Sequence, residues 1–99
     1  MTDTIATLAD SDRRTVLSCL DDYYTAVDIE SLAVDVVAAR DGTPRTEVSE
    51  EERESELVRL HHVDLPKLDE AGFVTFDHEA GTVTRRRGDA VTASPVFSD

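Results

Sequence analysis

Residues 49–84 read SEEERESELVRLHHVDLPKLDEAGFVTFDHEAGTVT, and this stretch decides the fold. Ser49 followed three residues later by Glu52 is a capping box, in which each side chain takes the other's orphan backbone N–H. Glu50, Glu51 and Glu52 also complement the positive end of a helix dipole. Leu57, Leu60, Leu65, Leu68 and Ala71 then recur at helical spacing. Gly72 stands where a left-handed C-terminal cap is expected. Phe73 to Phe76 reads as a strand, Asp77 to Gly81 as a turn and Thr82 to Arg86 as the returning strand, with Val74, Phe76 and Val83 sharing the inward face. A long helix, a glycine stop and a hairpin make the second half of a winged helix-turn-helix.

Pro66 interrupts the helical pattern. It lacks an N–H, and its ring crowds the carbonyl of His62. Either the helix kinks near residues 62 to 66 or Asp64 caps a new short helix, and the uninterrupted apolar spacing favours the kink.

Upstream, Asp10 or Ser11 can cap a first helix over about residues 11–24, with Val16, Leu17, Leu20, Tyr23 and Tyr24 at helical positions. Thr25 to Asp28 is a short connection. Asp28 can cap a second helix with Ile29, Leu32, Ala33, Val36 and Val37 on one face, ending near Arg40 before the breaker cluster Asp41-Gly42-Thr43-Pro44. Residues 41–48 form a polar loop, longer than a tight helix-turn-helix turn and expected to be a mobile surface site. The predicted architecture is mainly α with a small β-hairpin: three helices and a two-stranded wing over residues 10–87. Residues 1–9 make an N-terminal arm, and residues 88–99 a tail that reads as disordered or as a dimer contact.

The resemblance is carried by Leu8 to Arg14, by Ile29-Glu30-Ser31-Leu32-Ala33, and by Leu65-Pro66-Lys67-Leu68-Asp69-Glu70-Ala71-Gly72-Phe73-Val74. These segments, spanning about residues 8–86, resemble the ArsR-type winged-helix group. The His62 to Asp77 region, with its Leu-Pro-Lys-Leu core, is especially similar to small haloarchaeal winged-helix domains of unassigned function. The resemblance implies a regulator that binds duplex DNA as a homodimer. Helix one, Tyr23, Tyr24 and the tail are candidate dimer contacts.

Composition adds a constraint. The 99 residues carry 22 acids against 10 bases, a net charge of −12, and only Lys67 among the bases is a lysine. This balance reads as adaptation to a high-salt cytoplasm, where an acidic, hydrated surface preserves solubility. With 39% hydrophobic and 5% aromatic residues, the chain can bury a thin aliphatic core. A single cysteine, Cys19, excludes an intramolecular disulfide and reads as a small buried hydrophobe. No apolar run reaches membrane-spanning length, and no secretory signal is visible, so a cytoplasmic protein is expected.

At about 100° per residue, Leu57, Leu60, His61, Asp64, Leu65 and Leu68 share one side of helix three. Arg59, His62, Val63, Pro66, Lys67 and Glu70 share the other. The candidate DNA contacts are therefore Arg59 and His62 to base edges or phosphates, Lys67 to a phosphate, and the wing run Arg85, Arg86 and Arg87 to phosphates or a minor groove. Glu50, Glu51, Glu52, Glu54 and Glu56 oppose this reading unless they turn away from the groove. High salt also removes most of the counterion-release drive. His61 reads as a core-edge residue hydrogen-bonded to Asp64. Neighbouring His61 and His62 chelate poorly together, and no metal-ligand spacing, catalytic motif or phosphate loop is present, so no metal, cofactor or enzymatic activity is expected. Arg87-Gly88-Asp89 is a chance match to an adhesion tripeptide. Two alternatives to DNA binding remain: a protein-interaction module whose acidic helix face recruits a basic or halophilic partner, and a sensor with a ligand pocket near helix one.

Overall fold

The computed structural model describes residues 8–86. The expectations for residues 1–7 of the arm, for Arg87 and for the tail fall outside these residues; Leu8, at the end of the arm, packs against the core.

Helix α1, Ser11–Leu20, opens on Asp10, whose carboxylate accepts from the Asp12 N–H at 2.8 Å. It ends four residues earlier than the spacing predicts. Asp21 and Asp22 put two carboxylates at the negative end of the helix dipole, which disfavours another turn. Tyr23 turns instead toward the next helix, and its hydroxyl donates to Asp35 at 2.8 Å. Tyr24 is exposed.

The connection expected at Thr25 to Asp28 contains a strand, β1, Val27–Asp28. Asp28 also caps helix α2, Ile29–Asp41, by accepting from the Glu30 N–H. A 3-10 turn follows at Arg45–Glu47. Arg45 pairs with Asp35, which ties the 42–49 connection back to α2.

Helix α3, Glu50–Arg59, starts on the complete capping box: Glu52 N–H donates to Ser49 Oγ, and Ser49 N–H to Glu52 Oε1, both at 3.0 Å. The helical run does not stop at Pro66. Leu60–Asp64 forms a π turn, in which the Leu65 N–H donates to the Leu60 carbonyl, and α4, Leu65–Glu70, continues from it. Asp64 provides no side-chain cap, so α4 is not a separately capped helix. The extra residue in the wider turn gives the proline ring room near the His62 carbonyl, which a regular α turn would deny it.

At the end of α4, Gly72 adopts φ +89°, while Phe73 N–H donates to Leu68 O at 2.9 Å and Gly72 N–H to Asp69 O at 3.0 Å. That is a Schellman stop. It directs the chain into β2, Val74–Asp77, and β3, Thr82–Arg85. Val74 pairs with Arg85 and Phe76 with Val83; on its other edge β3 pairs with β1 through Val27 and Val83. The sheet is therefore three-stranded and antiparallel, in the order β1-β3-β2. Its inward side chains Val27, Val74, Phe76 and Val83 close over Val16, Leu20, Leu32, Val36, Leu60, Leu65 and Leu68. The result is a winged helix-turn-helix arrangement with one aliphatic core, and its third helical run carries the candidate interface.

Candidate nucleic-acid interface

The predicted contact residues divide according to what neutralises them. Arg59 is folded into an ion-pair network. Its Nε donates to Asp64 Oδ2 at 3.1 Å, and its terminal nitrogen lies 3.4 Å from Asp10 and 3.5 Å from Asp12. The Asp64 side chain is fully buried and also meets Arg13 at 3.5 Å. Burial pushes the Asp64 carboxyl above its ordinary value, and the hydrogen bond and charge of Arg59 offset only part of this. The Asp64 hydrogen bond in turn holds Arg59 more firmly charged. The His61 partner expected in Asp64 is absent: both carboxylate oxygens go to arginines, and the buried Nδ1 of His61 has no hydrogen-bond partner.

Arg85 is held at the base of the wing. Its Nε donates to Asp21 at 3.1 Å, and one terminal nitrogen donates to the carbonyls of Phe73 and Arg86. The register explains the position, since Val74 opposite Arg85 is the first residue of β2, just past the Gly72 stop. The wing tip is Asp77-His78-Glu79-Ala80-Gly81, where Asp77 Oδ1 accepts from the Glu79 and Ala80 N–H groups. The tip therefore carries acids and an imidazole and no cation.

Four of the predicted residues are exposed: His62, Lys67, Arg86 and, despite its ion pairs, Arg59. Among the described residues, Lys67, Arg86 and Arg14 have no carboxylate within ion-pair reach, Arg14 on α1 donating to the Leu8 carbonyl, whereas Arg13, Arg40, Arg45, Arg53, Arg59 and Arg85 all do. Arg86 lies beside the helix exit, because its N–H donates to the Phe73 carbonyl at 2.9 Å. Lys67 and His62 line one open groove of about 410 Å³ together with Val63, Pro66 and Glu70. Arg87 lies outside the described residues.

The five glutamates at the start of the run are not one exposed acidic stripe. Glu56 turns inward, 4% exposed, and accepts from Arg40 at 2.9 Å. Its burial raises its carboxyl above the ordinary value despite the arginine, and its second oxygen is buried without a partner. Glu52 serves the cap. Glu50 and Glu54 flank Arg53, at 3.7 and 3.8 Å. Glu51 stays on the surface.

The chain order did not reveal a ring cluster joining the wing to the helix. His61 contacts His62, Phe76 and His78 with centroids 4.8, 5.5 and 5.6 Å apart, and Phe76 meets His78 at 4.2 Å. The alternation of β2 places Phe76 inward, but only the folded hairpin brings His78 back over His61. Among the described residues, no group of three or more His, Cys, Asp or Glu side chains is arranged to hold a metal ion. No helix among them is long and apolar enough to cross a membrane.

No curated protein and no solved structure matches the chain. Residues 5–84 match the family model described as Domain of unknown function (DUF7344). This match covers most of the sequence, and the chain belongs to that family.

Proposed function

We propose that the domain is a transcriptional regulator that binds duplex DNA in a high-salt cytoplasm. The contacts are made by the second half of the third helical run and by the base of the wing. The observation that carries this reading is the distribution of unneutralised cations. In a chain of net charge −12, three cations among the described residues are exposed without carboxylate partners; Arg14 lies on α1, and the other two, Lys67 and Arg86, both belong to the helix exit and wing base. A cation left unpaired on so acidic a surface suits a polyanion. His62 on the same groove adds a side chain able to reach a base edge or a phosphate. Arg59 becomes a staple of the helix and not a contact, and the inward turn of Glu56 removes one of the acids that opposed the reading. A homodimer would present two such faces to two half-sites.

The test is retention of sheared genomic DNA, and anisotropy of a labelled duplex, in molar KCl. Lys67→Glu and Arg86→Glu should each weaken binding, while Arg45→Ala should not. Absence of binding by the wild-type protein at every salt concentration overturns the reading.

A specific observation favours a second reading. Val58 is 60% exposed and Val63 is 39% exposed, both on the run that carries Glu50, Glu51 and Glu54. Apolar side chains beside acids suit a basic, amphipathic protein segment. Under this reading, Val58→Ser abolishes capture of one protein partner, and DNA is never retained.

A further inference from the structure

We propose that the groove lined by His62, Val63, Pro66, Lys67 and Glu70 reads base edges, taking a T·A pair beside a G·C pair in the major groove. This inference rests on the DNA-binding reading and specifies what the site recognises.

The lining sets the occupant. A phosphate cleft would be uniformly cationic, and the Glu70 carboxylate would repel its ligand. Here the groove combines one unpaired ammonium, one imidazole, one carboxylate and the apolar surfaces of Val63 and Pro66. Each has a counterpart on the floor of the major groove. Guanine presents two acceptors, O6 and N7, which suit the Lys67 ammonium. Cytosine presents the N4 amino group, which suits the Glu70 carboxylate. Lys67 and Glu70 are three residues apart on one helical face, about 4.5 Å along the axis, and no ion pair joins them. They are thus separate and charge-complementary to the two halves of one G·C pair. The thymine C5-methyl is the only apolar group on that floor, and Val63 and Pro66 give it an apolar neighbour on the adjoining step. Where salt suppresses counterion release, such short-range contacts account for a larger share of the affinity.

The experiment is selection from a randomised duplex pool in molar KCl. It is followed by anisotropy on the selected site and on the same site with uracil in place of thymine, which removes only the methyl group. The wild-type protein should bind the uracil duplex about fourfold more weakly, the fold-change corresponding to the ~0.8 kcal/mol of one buried methyl-sized group. Val63→Ala, an exposed position whose folding is checked by its melting curve, should bind the two duplexes alike. Glu70→Ala, which removes the acceptor, should lose the preference at the adjoining cytosine. If wild-type protein binds duplexes but enriches no sequence and does not distinguish uracil from thymine, the base-reading assignment is overturned while DNA binding stands. If it binds no duplex at all, the proposed function fails, and this inference fails with it.

Discussion

Arg59 Nε donates to the fully buried carboxylate of Asp64 at 3.1 Å, and the same guanidinium reaches Asp10 and Asp12 at the start of α1. One side chain thereby joins the helix start near residue 10 to the π turn. Removing a partner from a fully buried pair costs about 3–5 kcal/mol. Arg59 is partly solvated and Arg13 stays near Asp64, so Arg59→Ala should cost less, about 1–2 kcal/mol. Denaturant melts should show this loss, while the DNA affinity of the folded variant stays near wild type. A fully stable variant with weakened DNA binding would show instead that Arg59 is a contact.

Glu56 gives the protein a stability trend with pH. Burial raises its carboxyl above the ordinary 4.5, and the hydrogen bond from Arg40 only partly opposes this. A raised folded-state value means that the folded protein holds the proton more tightly than the unfolded chain. The associated stability is therefore full below about 4.5 and is lost as pH rises through the raised value. Wild type should gain stability relative to Glu56→Gln as pH falls from 7 toward 4.5. Asp64 follows the same sign. Asp10 runs oppositely: burial alone would raise it, but the Asp12 N–H and the charges of Arg13 and Arg59 prevail and lower it, so its contribution is lost in stronger acid. Urea melts at fixed salt check the window, and a Glu56→Gln difference that moves the other way would refute the account of the burial.

Gly72 should tolerate no side chain without strain. Its φ of +89° lies in the left-handed region, although a Cβ there would meet nothing within 4 Å. The cost of Gly72→Ala is thus conformational, about 1–2 kcal/mol. Thermal melts should register it as a drop of roughly 4–16 °C. An unchanged melting temperature would mean that the Schellman stop is not holding the wing.

These positions also show what the sequence makes legible. The capping box at Ser49 and Glu52, the stop at Gly72 and the inward alternation of Val74, Phe76 and Val83 are local patterns. Each follows from neighbours within a few residues. Strand β1 is not legible, because two residues show no alternation and its partner Val83 is remote in the chain. The fate of the arginines is hidden for the same reason. A helical projection points Arg59 outward, but only the folded chain brings Asp10 to it from 49 residues away, and Asp21 to Arg85 from 64. Pro66 marks an irregularity; whether it becomes a bend or a π turn depends on the fit of Leu60, Leu65 and Leu68 in the core.

The central claim is that the cations left unpaired at the helix exit face DNA. The most direct measurement is duplex affinity as a function of KCl concentration for wild type, Lys67→Ala, Arg86→Ala and Arg53→Ala. Arg86→Ala should weaken binding and lower the slope of log affinity against log salt by about 1, the value for one lost phosphate contact, and Lys67→Ala should weaken it at unchanged slope, as for a base-edge contact. Arg53→Ala, which removes an arginine paired with Glu30, Glu50 and Glu54, should leave both quantities unchanged. Identical affinities and slopes for wild type, Lys67→Ala and Arg86→Ala would contradict the claim.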